Sequence, residues 1–307
     1  MSRALAIVGT TASGKSDLAH RVARHRGDCE ILCVDSMTVY RGMDIGTAKP
    51  TPAERAEVPY HLLDVVDPWE SFSVAQFQSL SRTAMDEVSA RGHVALLVGG
   101  TGLYSRAVID NLDIPSEYPV IRERLEREAS EDLAGLFSTL LRLDPAAAER
   151  CEPSNARRIV RALEVIEGSG RLFSSFGPGL EDYSLSVLTQ VGIMPSLEEI
   201  DATLTERFEQ FMARGLLDEV ARLDADPRGW SRTAAQAVGY KELVPVVRGE
   251  ISRDEGVIQA VLATRQLVRR QRRWFRRDPR IMWYSNSDEA FEVVLRLLEE
   301  PEANVAN

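Results

Sequence analysis

The sequence predicts an α/β fold in which helices flank a parallel sheet and an all-helical insertion interrupts it. Three observations carry this reading. Apolar runs at Ala4 to Val8, Ile31 to Val34 and Val94 to Val98 have the length and continuous apolar character of strands buried on both faces. Helical spacing fills Ser16 to Arg26 and Val74 to Arg91 between them. Between the first strand and the first helix, Gly9-Thr-Thr-Ala-Ser-Gly-Lys-Ser16 matches G-x-x-x-x-G-K-[ST], which specifies a P-loop NTPase-like three-layer core.

Each position of that loop has a physical reason. Gly9, Thr10, Thr11, Ala12, Ser13 and Gly14 let successive backbone N–H groups wrap a phosphate, Lys15 reaches its outer oxygens, and Ser16 offers a hydroxyl to Mg²⁺. Only three lysines (Lys15, Lys49, Lys241) occur among 37 Lys plus Arg, so arginine is the default cation and a lysine in the loop is a specific choice. The loop alone leaves its ligand open: ATP, GTP or the diphosphate of another molecule.

Asp35 directly follows the second strand, and ligands in open parallel sheets gather beyond the carboxyl ends of the strands. From position alone it is a Mg²⁺-holding carboxylate, a turn cap or a general base. Gly99-Gly-Thr-Gly-Leu-Tyr104 ends the third strand where a Walker B motif would place an acid, and none is there. Its glycines permit close backbone approach, and the Thr101 hydroxyl can donate to a phosphate oxygen. No N-K-x-D stretch occurs, which argues against a GTPase switch.

After Leu112 the texture changes. Pro115 and Pro119 interrupt, and Val120 to Glu128, Leu133 to Leu143, Pro145 to Arg150 and Asn155 to Glu167 read as helices with no strand between them. A glycine and serine cluster at Gly168 to Gly179 precedes Ser184 to Met194, whose β-branched character predicts a return to the sheet. The expected organisation is a first core segment at 1–112, a helical insertion at 113–183, and a return to the core at 184–307 that is mostly helical and ends in a strand near Ile281 to Tyr284 and a closing helix.

At 307 residues and 44% hydrophobic, the chain can bury a full enzyme core. No apolar run approaches the roughly 20 residues of a membrane span, and no signal peptide precedes the first strand, so a cytoplasmic protein without a membrane partner is expected. Cys29, Cys33 and Cys151 provide neither a disulfide framework nor a C-x-x-C pair; the first two read as packing residues around a strand. The net charge of −10 hides a local asymmetry, because Arg265 to Arg280 holds eight arginines against the single acid Asp278. That basic helix, with Trp274 and Phe275, has the composition of an RNA-facing element, the arginines meeting phosphates and the two rings either stacking on bases or, the favoured reading, anchoring the core. Arg158 and Arg161 share one face of the last insertion helix, opposite an apolar stripe of Ile159, Leu163 and Ile166. That face is either solvated or set against a nucleic-acid backbone.

Taken together, GTTASGKS at 9 to 16, DSMTVYRGMDIGTAKP at 35 to 50, VPYHLLD at 58 to 64, LLVGGTGLY at 96 to 104, RRIVRALEV at 157 to 165, AVGYKE at 237 to 242 and TRQLVRRQRRWF at 264 to 275 resemble the tRNA dimethylallyltransferases. The stretches run in family order along nearly the whole chain. The resemblance implies transfer of a dimethylallyl group from dimethylallyl diphosphate to the exocyclic N6 amine of the adenosine 3′-adjacent to the anticodon. It makes the P-loop a diphosphate cradle, which accounts for the missing Walker B acid. Asp35 becomes the base, Thr101 a polar contact beside the reacting centre, Lys15 a catalytic cation, and Mg²⁺ the cofactor held at Ser16. The adenine must be flipped from its stack. Contacts to tRNA are implied for Asp35, Ser36, Met37, Thr38, Thr101, Arg157, Arg158, Arg161, Arg265, Arg269, Arg270, Arg272 and Arg273, with the insertion gripping the stem; a monomer is expected.

Two positions depart from common family forms. Thr10 stands where many members carry proline, and Gln236 where some carry arginine, so no phosphate-binding role passes to Gln236. A small-molecule P-loop kinase, an adenylate isopentenyltransferase and a non-catalytic nucleic-acid-binding NTPase module are the competing readings. None of them requires the arginine-rich helices together with the 35 to 50 block.

Overall fold

The computed structural model describes residues 3–177, 179–180, 182–183 and 188–299. Six strands form one sheet: β1 (Ala4–Gly9), β2 (Cys29–Val34), β3 (Tyr60–His61), β4 (Val94–Gly99), β5 (Gln190–Ile193) and β6 (Ile281–Tyr284). Their spatial order is β3-β2-β4-β1-β5-β6, and every pairing is parallel. Successive side chains along a strand face opposite sides. Leu5 and Ile7 of β1 therefore join one apolar cluster with Leu18 and Val22, whereas Ala6 and Val8 join another with Phe77, Leu204 and Tyr240.

The first cluster lies under α1 (Lys15–Arg26) and α13 (Ser287–Glu299). The second lies under α3 (Val74–Ala90), α4 (Gly102–Ile109), α9 (Leu197–Ala213), α10 (Leu216–Asp224), α11 (Tyr240–Val247) and α12 (Arg253–Phe275). Helices on both faces of a parallel sheet make the three-layer architecture expected from the sequence. A short α2 (Pro52–Glu57) opens with a capping box in which Thr51 and Glu54 exchange side-chain and backbone hydrogen bonds.

Residues 119–169 fold as α5 (Pro119–Glu131), α6 (Leu133–Leu143), α7 (Pro145–Glu149) and α8 (Ala156–Ser169), close to the expected bounds. They enclose a cluster of their own, centred on Leu125, Leu140, Ile159 and Leu163. Asp132 and Asp144 set two of the boundaries by accepting hydrogen bonds from Gly135 N (2.8 Å) and Ala147 N (3.1 Å). The buried carboxylate of Glu164 accepts from Tyr118 N and Arg122 and pairs with Arg161, so its charge is balanced.

Two differences from the sequence reading stand out. The two-residue β3 has no counterpart in it; the strand is too short to carry a periodic signal and exists through its pairing with Ile31 and Leu32. Of the strand expected across 184–194, only Gln190–Ile193 is extended in the sheet, residues 188 and 189 lie outside it, and 184–187 lie outside the described residues. All three cysteines are free, with Cys29 and Cys33 on β2 as expected. Among the described residues no helix is long and apolar enough to cross a membrane.

Candidate active site at the strand ends

The loop Gly9 to Ser16 joins β1 to α1, as the motif requires. Gly14 caps the helix in the left-handed region at φ 88°, which costs glycine nothing. Ala12 adopts φ 61°, a strained conformation for a residue with a Cβ, and such strain collects at ligand sites. Lys15 Nζ donates to Thr10 O at 3.0 Å, holding the ammonium back over the loop. The buried hydroxyls of Thr10 and Ser13 find no hydrogen-bond partner among the described residues, so the loop carries polar capacity that the described fold does not use.

β2 and β4 lie side by side, with Val34 opposite Gly99, so Asp35 and Thr101 leave the sheet together. Thr101 Oγ1 donates to Asp35 Oδ2 (3.1 Å) and accepts from Ser36 N (3.3 Å). Asp35 Oδ1 accepts from Met37 N (2.8 Å) and Thr38 N (3.3 Å). The carboxylate is thus fixed in orientation by three donors, from both strand ends. Its charge reaches Lys15: burial pushes the ammonium down to about 8, while Asp35 pulls it upward. Loop lysine, carboxylate and threonine hydroxyl therefore lie together at the strand ends, and β4 ends in glycines with no acid.

The segment after Asp35 is held from beneath. Lys49, almost fully enclosed, donates to Tyr40 O (2.6 Å), Asp44 (2.7 Å) and Asp64 (2.6 Å). The carboxylate of Glu219 on α10 accepts from Asp44 N, Ile45 N and the Tyr240 hydroxyl. These contacts, with Val39, Tyr40 and Met43 buried in the core, fix the stretch that follows Asp35 against the rest of the fold, and they account for the second lysine of the chain.

Two neighbours had no visible sequence signal. Arg207 on α9 lies close enough to Lys15 to depress its affinity for a proton. Burial lowers the guanidinium's own proton affinity, and it has no carboxylate partner among the described residues, only the face of Phe211 at 5.1 Å. Gln271 on α12 is buried, with Oε1 accepting from Thr11 N at 2.8 Å and Nε2 donating to Gly100 O at 2.9 Å. It bridges the P-loop and the turn that carries Thr101.

The arginines divide into two groups. Arg269, Arg270 and Arg273 are exposed on α12. Arg265 instead pairs with Asp201 (2.9 Å), and Arg272 donates to Pro195 O (2.6 Å). On α8, Arg157 is exposed, Arg158 donates to Arg150 O (3.1 Å), and Arg161 holds Pro115 O and Ser116 O besides Glu164. Phe275 is buried and Trp274 packs against the core cluster, as anchors would. Gln236 is exposed and accepts from Lys241 at 3.3 Å.

No cluster of three or more His, Cys, Asp or Glu side chains able to cage a metal occurs among the described residues. Ser16, the unpartnered loop hydroxyls and Asp35 fit instead a Mg²⁺ carried in with phosphate oxygens, the usual manner for that ion.

A model of the IPP transferase family matches residues 38–278. Among curated proteins, the tRNA dimethylallyltransferase of Streptomyces avermitilis is 43% identical over 304 residues, covering 97% of this chain and 96% of that one. The Salinispora tropica tRNA dimethylallyltransferase is 45% identical, covering 92% and 88%. Among solved structures, the tRNA isopentenylpyrophosphate transferase of Bacillus halodurans superposes with a TM-score of 0.68 at 34% identity, covering 97% of each chain. A eukaryotic dimethylallyltransferase acting on tRNA shares the fold, with a TM-score of 0.80 at 23% identity over 100% of this chain and 82% of that one. The match over most of the chain and the full-length identities place the chain in the IPP transferase family.

Proposed function

We propose that this chain transfers a dimethylallyl group from dimethylallyl diphosphate to the N6 amine of the adenosine 3′-adjacent to a tRNA anticodon. The observation that carries the reading is the Asp35–Thr101 pair, fixed by hydrogen bonds at adjoining strand ends beside Lys15, with no Walker B acid on β4. In the reaction the C1–O bond of the donor breaks, N6 forms a bond to C1, and diphosphate leaves. Negative charge grows on the leaving oxygens. Lys15, the loop N–H groups and Arg207 would offset it, and would do so most strongly where water is excluded. Asp35, already oriented by Met37 N and Thr38 N, would accept the proton lost from N6. Thr101 would hold the carboxylate and meet the incoming adenine. Ser16 and the loop would hold Mg²⁺, whose chemistry is to neutralise charge on the diphosphate.

The flipped adenosine would arrive along the wall formed by Ser36, Met37 and Thr38. Arg269, Arg270, Arg273 and Arg157 would meet the RNA backbone, with Arg158, Arg161, Arg265 and Arg272 lining that approach. We take the chain to work as a monomer in the cytoplasm.

Incubation of the purified protein with labelled dimethylallyl diphosphate and unmodified tRNA, without ATP, should place label on N6 of the adenosine that follows the anticodon. An absolute requirement for ATP, or label appearing on free adenylate in preference to tRNA, would overturn the reading in favour of a kinase or an adenylate isopentenyltransferase.

A further inference from the structure

We propose that Gln271 is a positioning residue that sets the spacing between the diphosphate loop and the Thr101–Asp35 pair; this rests on the donor-loop reading above. Its amide joins two segments that reach the site from different strands. Oε1 takes the N–H of Thr11, and Nε2 gives a proton to the carbonyl of Gly100, the residue before Thr101. An acceptor and a donor on adjoining atoms at the end of a two-methylene stem is what glutamine alone offers.

The neighbouring residues of α12 make this more than one bridging side chain. The Trp274 ring sits against Gly102, so closely that a Cβ there would collide with it. Arg272 ties the same turn to Pro195 O beyond β5, and Phe275 anchors it in the core. One stretch of helix thereby touches the loop after β1, the turn after β4 and the segment after β5. Arg269, Arg270 and Arg273 point outward from that stretch. The helix proposed to meet RNA is also the strut against which donor and base are registered, and Gln271 is the contact that registers both.

Two variants separate this role from packing. Gln271→Met keeps the volume and loses both hydrogen bonds. Gln271→Glu keeps the acceptor for Thr11 N but, when ionised, sets an oxygen against the Gly100 carbonyl. Only the protonated carboxyl can restore the missing donor.

Steady-state transfer from dimethylallyl diphosphate to an unmodified anticodon stem-loop should show kcat of the Met variant reduced about 10- to 100-fold, since displacement of reacting groups by an ångström has effects of that order. Its KM for the stem-loop should stay within about twofold of the parent. The activity of the Glu variant relative to the parent should rise as pH falls from 8 to 5.5, whereas the Met ratio should be flat. A Met variant within twofold of the parent in kcat, or a Glu ratio independent of pH, overturns the proposal. Should the Met variant not fold, the Glu profile decides. A parent protein that transfers no label overturns the donor-loop reading and this proposal together, whereas an active parent with an equally active Met variant overturns this one alone.

Discussion

Asp35 acts on Lys15 before any substrate arrives. Burial lowers the Lys15 ammonium to about 8, and the negative charge of Asp35 keeps it from falling further. The sign follows directly: diphosphate prefers the charged lysine, so donor affinity should be full below about 8 and weaken above it. Asp35→Asn removes both the proposed base and that support. Turnover should fall roughly 10²- to 10⁴-fold, the range for loss of a positioned base. In addition, the rise of donor KM with pH should begin at a lower pH than in the parent. Rates measured between pH 6 and 9 test both; near-normal turnover would remove Asp35 from proton transfer, and an unshifted KM profile would remove its influence on Lys15. Both residues were legible in the sequence because each sits at a fixed offset from a buried strand. Arg207 and Gln271 were not, since Gln271 meets Thr11 across 260 residues of chain and no local pattern marks such a contact.

At the scale of the element, α12 shows why a count of charges overstates an interface. The eight arginines between 265 and 280 read as one basic face. Folded, Arg265 and Arg272 are engaged by Asp201 and Pro195 O, and Arg280 joins the buried Asp278 and Asp110 in a largely buried cluster. Arg276 and Arg277 are exposed just past the end of α12, and Arg269, Arg270 and Arg273 remain outward on the helix itself. Replacing these three by glutamine should weaken tRNA binding and reduce the slope of log K against log salt by roughly 2 to 3, at about 0.7 to 0.9 for each phosphate that is no longer neutralised. Thermal stability should change little, because the three sit on an exposed face. Arg272→Gln, by contrast, should alter turnover more than the salt slope, since its bond is internal. Salt titrations with a fixed stem-loop distinguish the two, and an unchanged slope in the triple variant would turn these arginines away from RNA. The division was hidden from the sequence because it depends on which side of the helix meets Asp201 and the segment after β5.

At the scale of the molecule, β2 spans a division of labour between the two ends of the sheet. Its carboxyl end delivers Asp35 to the chemistry, as open parallel sheets do. Its other end carries Glu30, buried, accepting from Arg91 through both oxygens at 2.8 Å and contacting His61 (2.6 Å) and His93 (2.8 Å). The Arg91 guanidinium, helped by the two histidines and opposed by burial, holds the Glu30 carboxyl down to about 2, below its ordinary 4.5. A carboxyl whose folded pKa is depressed contributes stability that is fully present above 4.5 and is lost as pH falls toward 2. Arg91 and His93 flank the turn into β4, and His61 lies on β3, so one carboxylate pins three neighbouring segments at the base of the sheet. Glu30→Gln should therefore lower unfolding free energy by roughly 1 to 3 kcal/mol at pH 7, the cost of replacing charge-assisted hydrogen bonds by weaker ones. The difference from the parent should narrow between pH 4.5 and 2, while kcat at pH 7 and moderate temperature should be unchanged, because the site at the far end keeps its own bonds. Denaturant melts at pH 7, 4.5 and 3 measure this. A constant difference across that range would mean that packing, not the charge of Glu30, holds the base of the sheet, and a fall in kcat at pH 7 would mean that the two ends of β2 are mechanically joined.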